Sequence, residues 1–198
     1  MRSRLAAVAA LLALAGCQGL SPTFSTDTPP RRGPGSVPAT GGGGASSGGR
    51  PKIVLSSVSA APGQTATVSA TLRSGGANVA GTQNDIGFDP RAVSIVRKPH
   101  GKPDCQANAA LGKEGTAFNF LPQKCGPGAC NSVRALVLSL SSVSAIPDGS
   151  VLYTCKVEVA AGAAPGARPL TLSRIGFSDP GGKALSGSGG DGTVTVGQ

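Results

Sequence analysis

Cysteine carries most of the reactive chemistry in this 198-residue chain, at positions 17, 105, 125, 130 and 155. A thiol can acylate, hold a metal, pair as a disulfide or act as a nucleophile, and its spacing and surroundings decide among these. Cys105, Cys125, Cys130 and Cys155 are an even number, and four cysteines admit three pairings that sequence does not choose between. Cys125-Gly126-Pro127-Gly128-Ala129-Cys130 could close on itself around a Gly-Pro-Gly turn. Cys105 with Cys155 would then clip a long loop to a sheet. Zinc is the alternative. The four lack the paired C-x₂-C spacing of a zinc site, and the single histidine, His100, sits in a Lys-Pro-His-Gly loop. Disulfides are therefore expected, and no metal.

Catalytic patterns are missing. One histidine offers no Ser-His-Asp arrangement, and Ser141 and Ser142 read as strand-end residues. The acidic residues are dispersed, whereas paired-carboxylate catalysis needs two held within several Å. Asp179-Pro180-Gly181-Gly182 and Gly189-Gly190-Asp191-Gly192 lack the dense acidic spacing of a calcium loop and read as turns. The expectation is a protein that is not an enzyme and takes no cofactor. Net charge is +9, from 18 basic and 9 acidic residues. The basic residues are scattered, and 3% aromatics cannot build base-stacking platforms. Nucleic acid is excluded as a partner. The charge suits solubility and contact with anionic envelope polymers.

The elements that position these residues begin with an export signal. Arg2 and Arg4 precede an apolar run over residues 5–15, which is too short to cross a bilayer and has the layout of a secretory signal. Leu14-Ala15-Gly16-Cys17 resembles the bacterial lipobox. The resemblance implies cleavage after residue 16 and lipidation of Cys17, with acyl chains such as palmitate holding the chain in membrane lipid without a transmembrane helix. Gln18, where an aspartate would mark inner-membrane retention, resembles outer-membrane sorting. Export also places the remaining four cysteines where disulfides persist. Cleavage removes Arg2 and Arg4 and leaves a charge of +7. Residues 17–50 then read as a disordered tether rich in Gly, Pro and Ser, with an end-to-end distance of about 30 Å for a flexible coil.

From residue 51 to 198 the chain has the size of one domain and reads as all-β. Ala66, Val68, Ala70 and Leu72 alternate with polar residues, as do Val151, Tyr153, Cys155, Val157 and Val159 with their neighbours. Further strands are expected over 53–60, 79–88, 92–96, 134–140, 168–177 and 193–196, with turns at Pro62-Gly63, Ser74-Gly75-Gly76, Asp89-Pro90 and Pro147-Asp148-Gly149. The middle, 97–128, is irregular. It holds a helical turn or two within 107–113, and Phe118 and Phe120 are expected to plug the core. Short strands without convincing helices between them indicate a sandwich or jelly roll.

Gly75-Gly76-Ala77-Asn78-Val79-Ala80-Gly81, then Thr82-Gln83-Asn84-Asp85-Ile86-Gly87-Phe88-Asp89-Pro90 and Ala92-Val93, resemble the cohesin domain. Asp148-Gly149-Ser150 leading into residues 151–159, Ala164-Pro165-Gly166 before residues 169–172, and Asp191-Gly192-Thr193-Val194-Thr195-Val196 extend the resemblance over nearly all of 53–197. It implies a single jelly-roll sandwich of about nine strands and a non-catalytic module that binds a dockerin-like or other envelope protein. Carbohydrate-binding modules share the architecture, so polysaccharide is the alternative ligand. Sugar platforms use exposed Trp and Tyr, and here there is no Trp and only Tyr153, which parity buries. The Cys105–Cys130 segment departs from the usual cohesin pattern and reads as an insertion. Parity turns Thr82, Asn84, Ile86 and Phe88 inward and Gly81, Gln83, Asp85 and Gly87 outward. Gln83 lies where the family places a contact residue and Asp85 two further on, which makes both candidates for the partner-binding face.

Overall fold

Alternation along residues 65–72 becomes a strand, β3 (Thr65–Arg73), whose Val68, Ala70 and Leu72 are buried. The structure is a computed structural model that describes residues 49–198. The expected signal segment, Cys17 and nearly all of the tether lie outside the described residues. The other strands are β1 (Lys52–Leu55), β2 (Val58–Ala60), β4 (Gly81–Gly87), β5 (Val93–Ile95), β6 (Cys105–Ala107), β7 (Ala117–Leu121), β8 (Ser132–Val137), β9 (Val151–Val159), β10 (Gly166–Ser178), β11 (Ala184–Leu185), β12 (Ser188–Gly190) and β13 (Gly192–Val196). The helical turn expected near 107–113 is a single 3₁₀ turn, Ala109–Leu111, capped by the Asn108 side chain.

Two sheets face each other. One runs β12-β1-β3-β9-β5, with β6 also on β9, and the other runs β2-β13-β10-β4-β8-β7, with β11 also on β10. Counting β1 and β2 as one interrupted strand, nine strands make the frame, and β6, β11 and β12 are short additions. The interruption has a local cause. Ser56 exchanges backbone and side-chain hydrogen bonds with Ser69 on β3, while the Ser57 hydroxyl accepts from the Thr193 N–H on β13. Each serine thus ties the chain to a different sheet, and the strand crosses between them. β1 and β2 run parallel to β12 and β13 respectively, so these pairs form one edge of each sheet.

The core lies between the sheets. Ile53, Leu72 and Val157 from one face Ile86, Val133 and Leu170 from the other, all fully buried. A polar pair pins the layers together at the centre. The Asn84 amide on β4 donates to the Tyr153 hydroxyl on β9 at 2.7 Å, and that hydroxyl donates back to Asn84 Oδ1 at 3.0 Å. Both residues are buried, and burial pushes the Tyr153 hydroxyl pKa up. Phe118 packs edge-on to Tyr153 with 5.3 Å between ring centroids, and Phe120 is buried beside it, as expected for residues that plug the core.

Three local expectations need correction. Alternation along 151–159 turns Leu152 outward, but Leu152 and Tyr153 are both buried. The register slips between Ala70 and Thr71 of β3, and the extra residue on β9 is a bulge that breaks the period of two. The apolar run over 134–140 ends as a strand at Val137. Beyond it, one oxygen of Glu114 accepts from the Leu140 and Ser141 N–H groups and from the Ser139 and Ser141 hydroxyls. Those N–H groups are then unavailable to a ladder, and Leu140 stands 90% exposed. The 105–130 segment is also more than an insertion, because it supplies β6 to one sheet and β7 to the edge of the other.

The structure makes one choice among the three cysteine pairings: Cys105 with Cys155, and Cys125 with Cys130. Cys105 and Cys155 are direct register partners on β6 and β9. The Cys125–Cys130 bond closes the Gly-Pro-Gly turn on itself.

Candidate functional site

The outer face of β10-β4-β8-β7 is built by parity. Thr82, Asn84 and Ile86 of β4 point inward and are buried, so Gln83 and Asp85 take the opposite face. Across the ladder Gln83 sits between Leu136 of β8 and Gly176 of β10, and Asp85 between Arg134 and Ser173. Asn119 of β7 pairs with Arg134 and Ala117 with Leu136. Two rows therefore cross the face, one led by Gln83 and one by Asp85.

The Asp85 row is an ion network. Arg134 Nε and one terminal nitrogen donate to the two Asp85 oxygens at 2.7 and 2.8 Å, a bidentate fork. Hydrogen bonding to that carboxylate raises the Arg134 pKa above its ordinary value. Arg174 Nε lies 3.6 Å from the second oxygen. Arg174 reaches it from an irregularity in β10 between Ser173 and Gly176, where its φ is +48°, and such bulges re-aim side chains. Under these two guanidinium groups Asp85 is only 4% exposed. Parity alone turns Asp85 outward and says nothing of what lies over it. Its direction is outward, but the arginines cover it, since a carboxylate on a half-buried sheet needs its charge compensated.

The Gln83 row is more open. Gln83 and Leu136 are half-buried, and they border a shallow depression of about 240 Å³ with Gly81, Leu138, Gly176 and Ser178. Gly176 has no side chain to fill it. The arrangement offers an amide, apolar flanks and a braced charge cluster, which suits recognition of another surface rather than bond chemistry. Elsewhere, Asp179 accepts from the Gly181 and Lys183 N–H groups within its own turn, and Asp191 accepts from the Leu172 N–H and ties the segment between β12 and β13 to β10. Among the described residues no three His, Cys, Asp or Glu side chains gather as metal ligands.

No family model matches the sequence, and no curated protein does. Solved structures do resemble it. The sixth cohesin of scaffoldin B from Acetivibrio cellulolyticus, in complex with a dockerin, aligns with TM-score 0.60 and 17% identity over 75% of this chain and 100% of that one. A type I cohesin–dockerin complex from Clostridium thermocellum gives TM-score 0.59 and 16% identity over 75% of this chain and 99% of that one. A non-cellulosomal cohesin from the archaeon Archaeoglobus fulgidus gives TM-score 0.55 and 18% identity over 76% and 93%. The described domain has the cohesin fold.

Within this cohesin fold, Gln83 and Asp85 come together on one face with Arg134, Arg174 and Leu136. Arg134 and Leu136 carried a signal in the sequence: they alternate with Val133, Ala135 and Val137, and parity alone assigns them outward. Arg174 carried none, because its reach depends on the irregularity in β10.

Proposed function

We propose that this chain is a non-catalytic cohesin-like module that binds a protein partner at the bacterial envelope. The outer face of β10-β4-β8-β7 makes the contact, with Gln83 and the Asp85–Arg134 pair at its centre. The observation that carries this reading is the Gln83 row, a half-open strip of amide and apolar surface beside a braced ion network on a cohesin fold. Cohesins of this fold have been solved in complex with dockerins, which supports a protein partner, dockerin-like or another envelope protein. Cys17, acylated at the lipobox-like sequence, anchors the chain in membrane lipid, and residues 18–50 tether the module to the outer membrane.

The test is capture from envelope extracts by the full-length chain and by its Gln83→Ala/Leu136→Ala variant. Saturable retention of a protein by the wild type, weakened about tenfold or more in the variant, is the expected result for residues at an interface centre. Retention of polysaccharide with no protein would overturn it. Fractionation of Cys17→Ser tests the anchor: the chain should leave the membrane pellet, and a variant that stays there rules the anchor out.

A further inference from the structure

At the β7 edge of the same face lies a cleft of about 390 Å³ lined by Arg97, His100, Lys102, Asn119, Gln123 and Lys124. No carboxylate lines it. None of the ion pairs among the described residues involves Arg97, Lys102 or Lys124. The cations come from two segments, 97–102 and 123–125, which the fold brings together. Arg97 forms the wall. Its guanidinium donates to the Gly101 carbonyl at 2.7 Å and the Cys125 carbonyl at 3.1 Å, contacts Cys130 Sγ at 2.8 Å and lies 4.2 Å above the Phe120 ring. The Cys125–Cys130 bridge thus holds one bank of the cleft against a fixed cation. Lys102 is held by Asn119 Oδ1 at 2.6 Å, and Lys124 is exposed on the facing loop.

Three permanent cations that share a concavity without a counter-charge repel one another and focus a positive potential there. An anion entering the cleft relieves that repulsion. We propose that the cleft takes the carboxylate side chains of an acidic segment of the protein partner, so that the recognition surface continues past β7. The inference rests on the protein-binding reading. Asn119 carries the continuity, since it pairs with Arg134 on the outer face and also binds Lys102 in the cleft. A partner covering Arg134 therefore reaches Lys102 directly.

A labelled deca-glutamate peptide tests this without a known partner. The full-length chain should bind it at low salt, ignore deca-glutamine, and lose the peptide as screening shortens the range of exposed charges. Lys102→Gln/Lys124→Gln removes two exposed charges, and binding should weaken about tenfold, with each exposed charge contributing up to a few-fold. The Gln83→Ala/Leu136→Ala variant should hold deca-glutamate as the wild type does, so failure of the cleft and failure of the face are separable. Equal binding of deca-glutamate by wild type and the lysine double variant would overturn the inference. So would absence of peptide binding alongside lysine-dependent binding of polygalacturonate or phosphatidylglycerol vesicles, which would assign the cleft to a polysaccharide or a lipid surface.

Discussion

Replacing Arg134 by methionine keeps an unbranched stem and removes the guanidinium fork that covers Asp85. The cost depends on how far the pair is desolvated. The Asp85 side chain is 5% exposed and that of Arg134 35%, so the pair sits between two limits. Exposed ion pairs contribute about 0.2–1 kcal/mol, and removing one partner of a buried pair costs about 3–5 kcal/mol. Arg174, at 3.6 Å, remains to compensate part of the stranded charge. About 2 kcal/mol is therefore expected for Arg134→Met. With a urea m-value of about 2 kcal/mol/M for a domain of this size, the midpoint should fall by about 1 M. Asp85→Asn should cost less, about 1 kcal/mol, because Arg134 can turn its exposed portion to water. The double variant closes a cycle, and its coupling should be about 1–2 kcal/mol and should persist in high salt, where exposed pairs fade. A coupling below about 0.5 kcal/mol, or one abolished by salt, would refute the claim that Asp85 is structurally committed on this face.

Tyr153→Phe strands the buried Asn84 amide and should destabilise by about 1–3 kcal/mol, whereas Tyr153→Phe with Asn84→Leu should recover part of the loss; equilibrium denaturation of the three variants checks both. Glu114 is held down to about 2, from an ordinary 4.5, by hydrogen bonds from Ser139 first and then Ser141. A depressed folded pKa stabilises above the unfolded value, and that contribution is lost as pH falls from about 4.5 towards 2. The protection factors of the Leu140 and Ser141 amides, measured against their intrinsic exchange rates, should therefore fall over that window in the wild type, and in Glu114→Gln they should be low at neutral pH already. The Cys105–Cys155 bridge closes a separation of 50 residues and Cys125–Cys130 one of 5, so chain entropy assigns about 4 and about 2 kcal/mol to them respectively. Paired Cys→Ala variants should lower the urea midpoint in that order, and the reverse order would count against the entropic account.

Much of the fold was legible before the structure because period-two alternation in β3, β4 and β8 assigns each residue to a face without knowledge of its partner strand. The same parity placed Asn84 and Tyr153 inside and Gln83 outside. It failed at Leu152, where a bulge adds a residue and reverses the faces upstream of it, and past Val137, where Glu114 takes the Leu140 and Ser141 N–H groups that a longer strand would need. Neither event has a local signature. Bulges and long-range hydrogen bonds depend on what the rest of the chain presents opposite.

Residue identity alone determined the all-β class, the inward and outward residues of the long strands and the even set of cysteines, since each follows from composition or short-range period. Tertiary structure decided which cysteines pair, because only register places Cys105 opposite Cys155. It also decided that Asp85 is covered, since one arginine comes from a neighbouring strand and the other from an irregular turn of β10. The basic residues look scattered along the chain, yet Arg97, Lys102 and Lys124 share one cleft. Electrostatic potential depends on distance through space, and that distance is set by the fold.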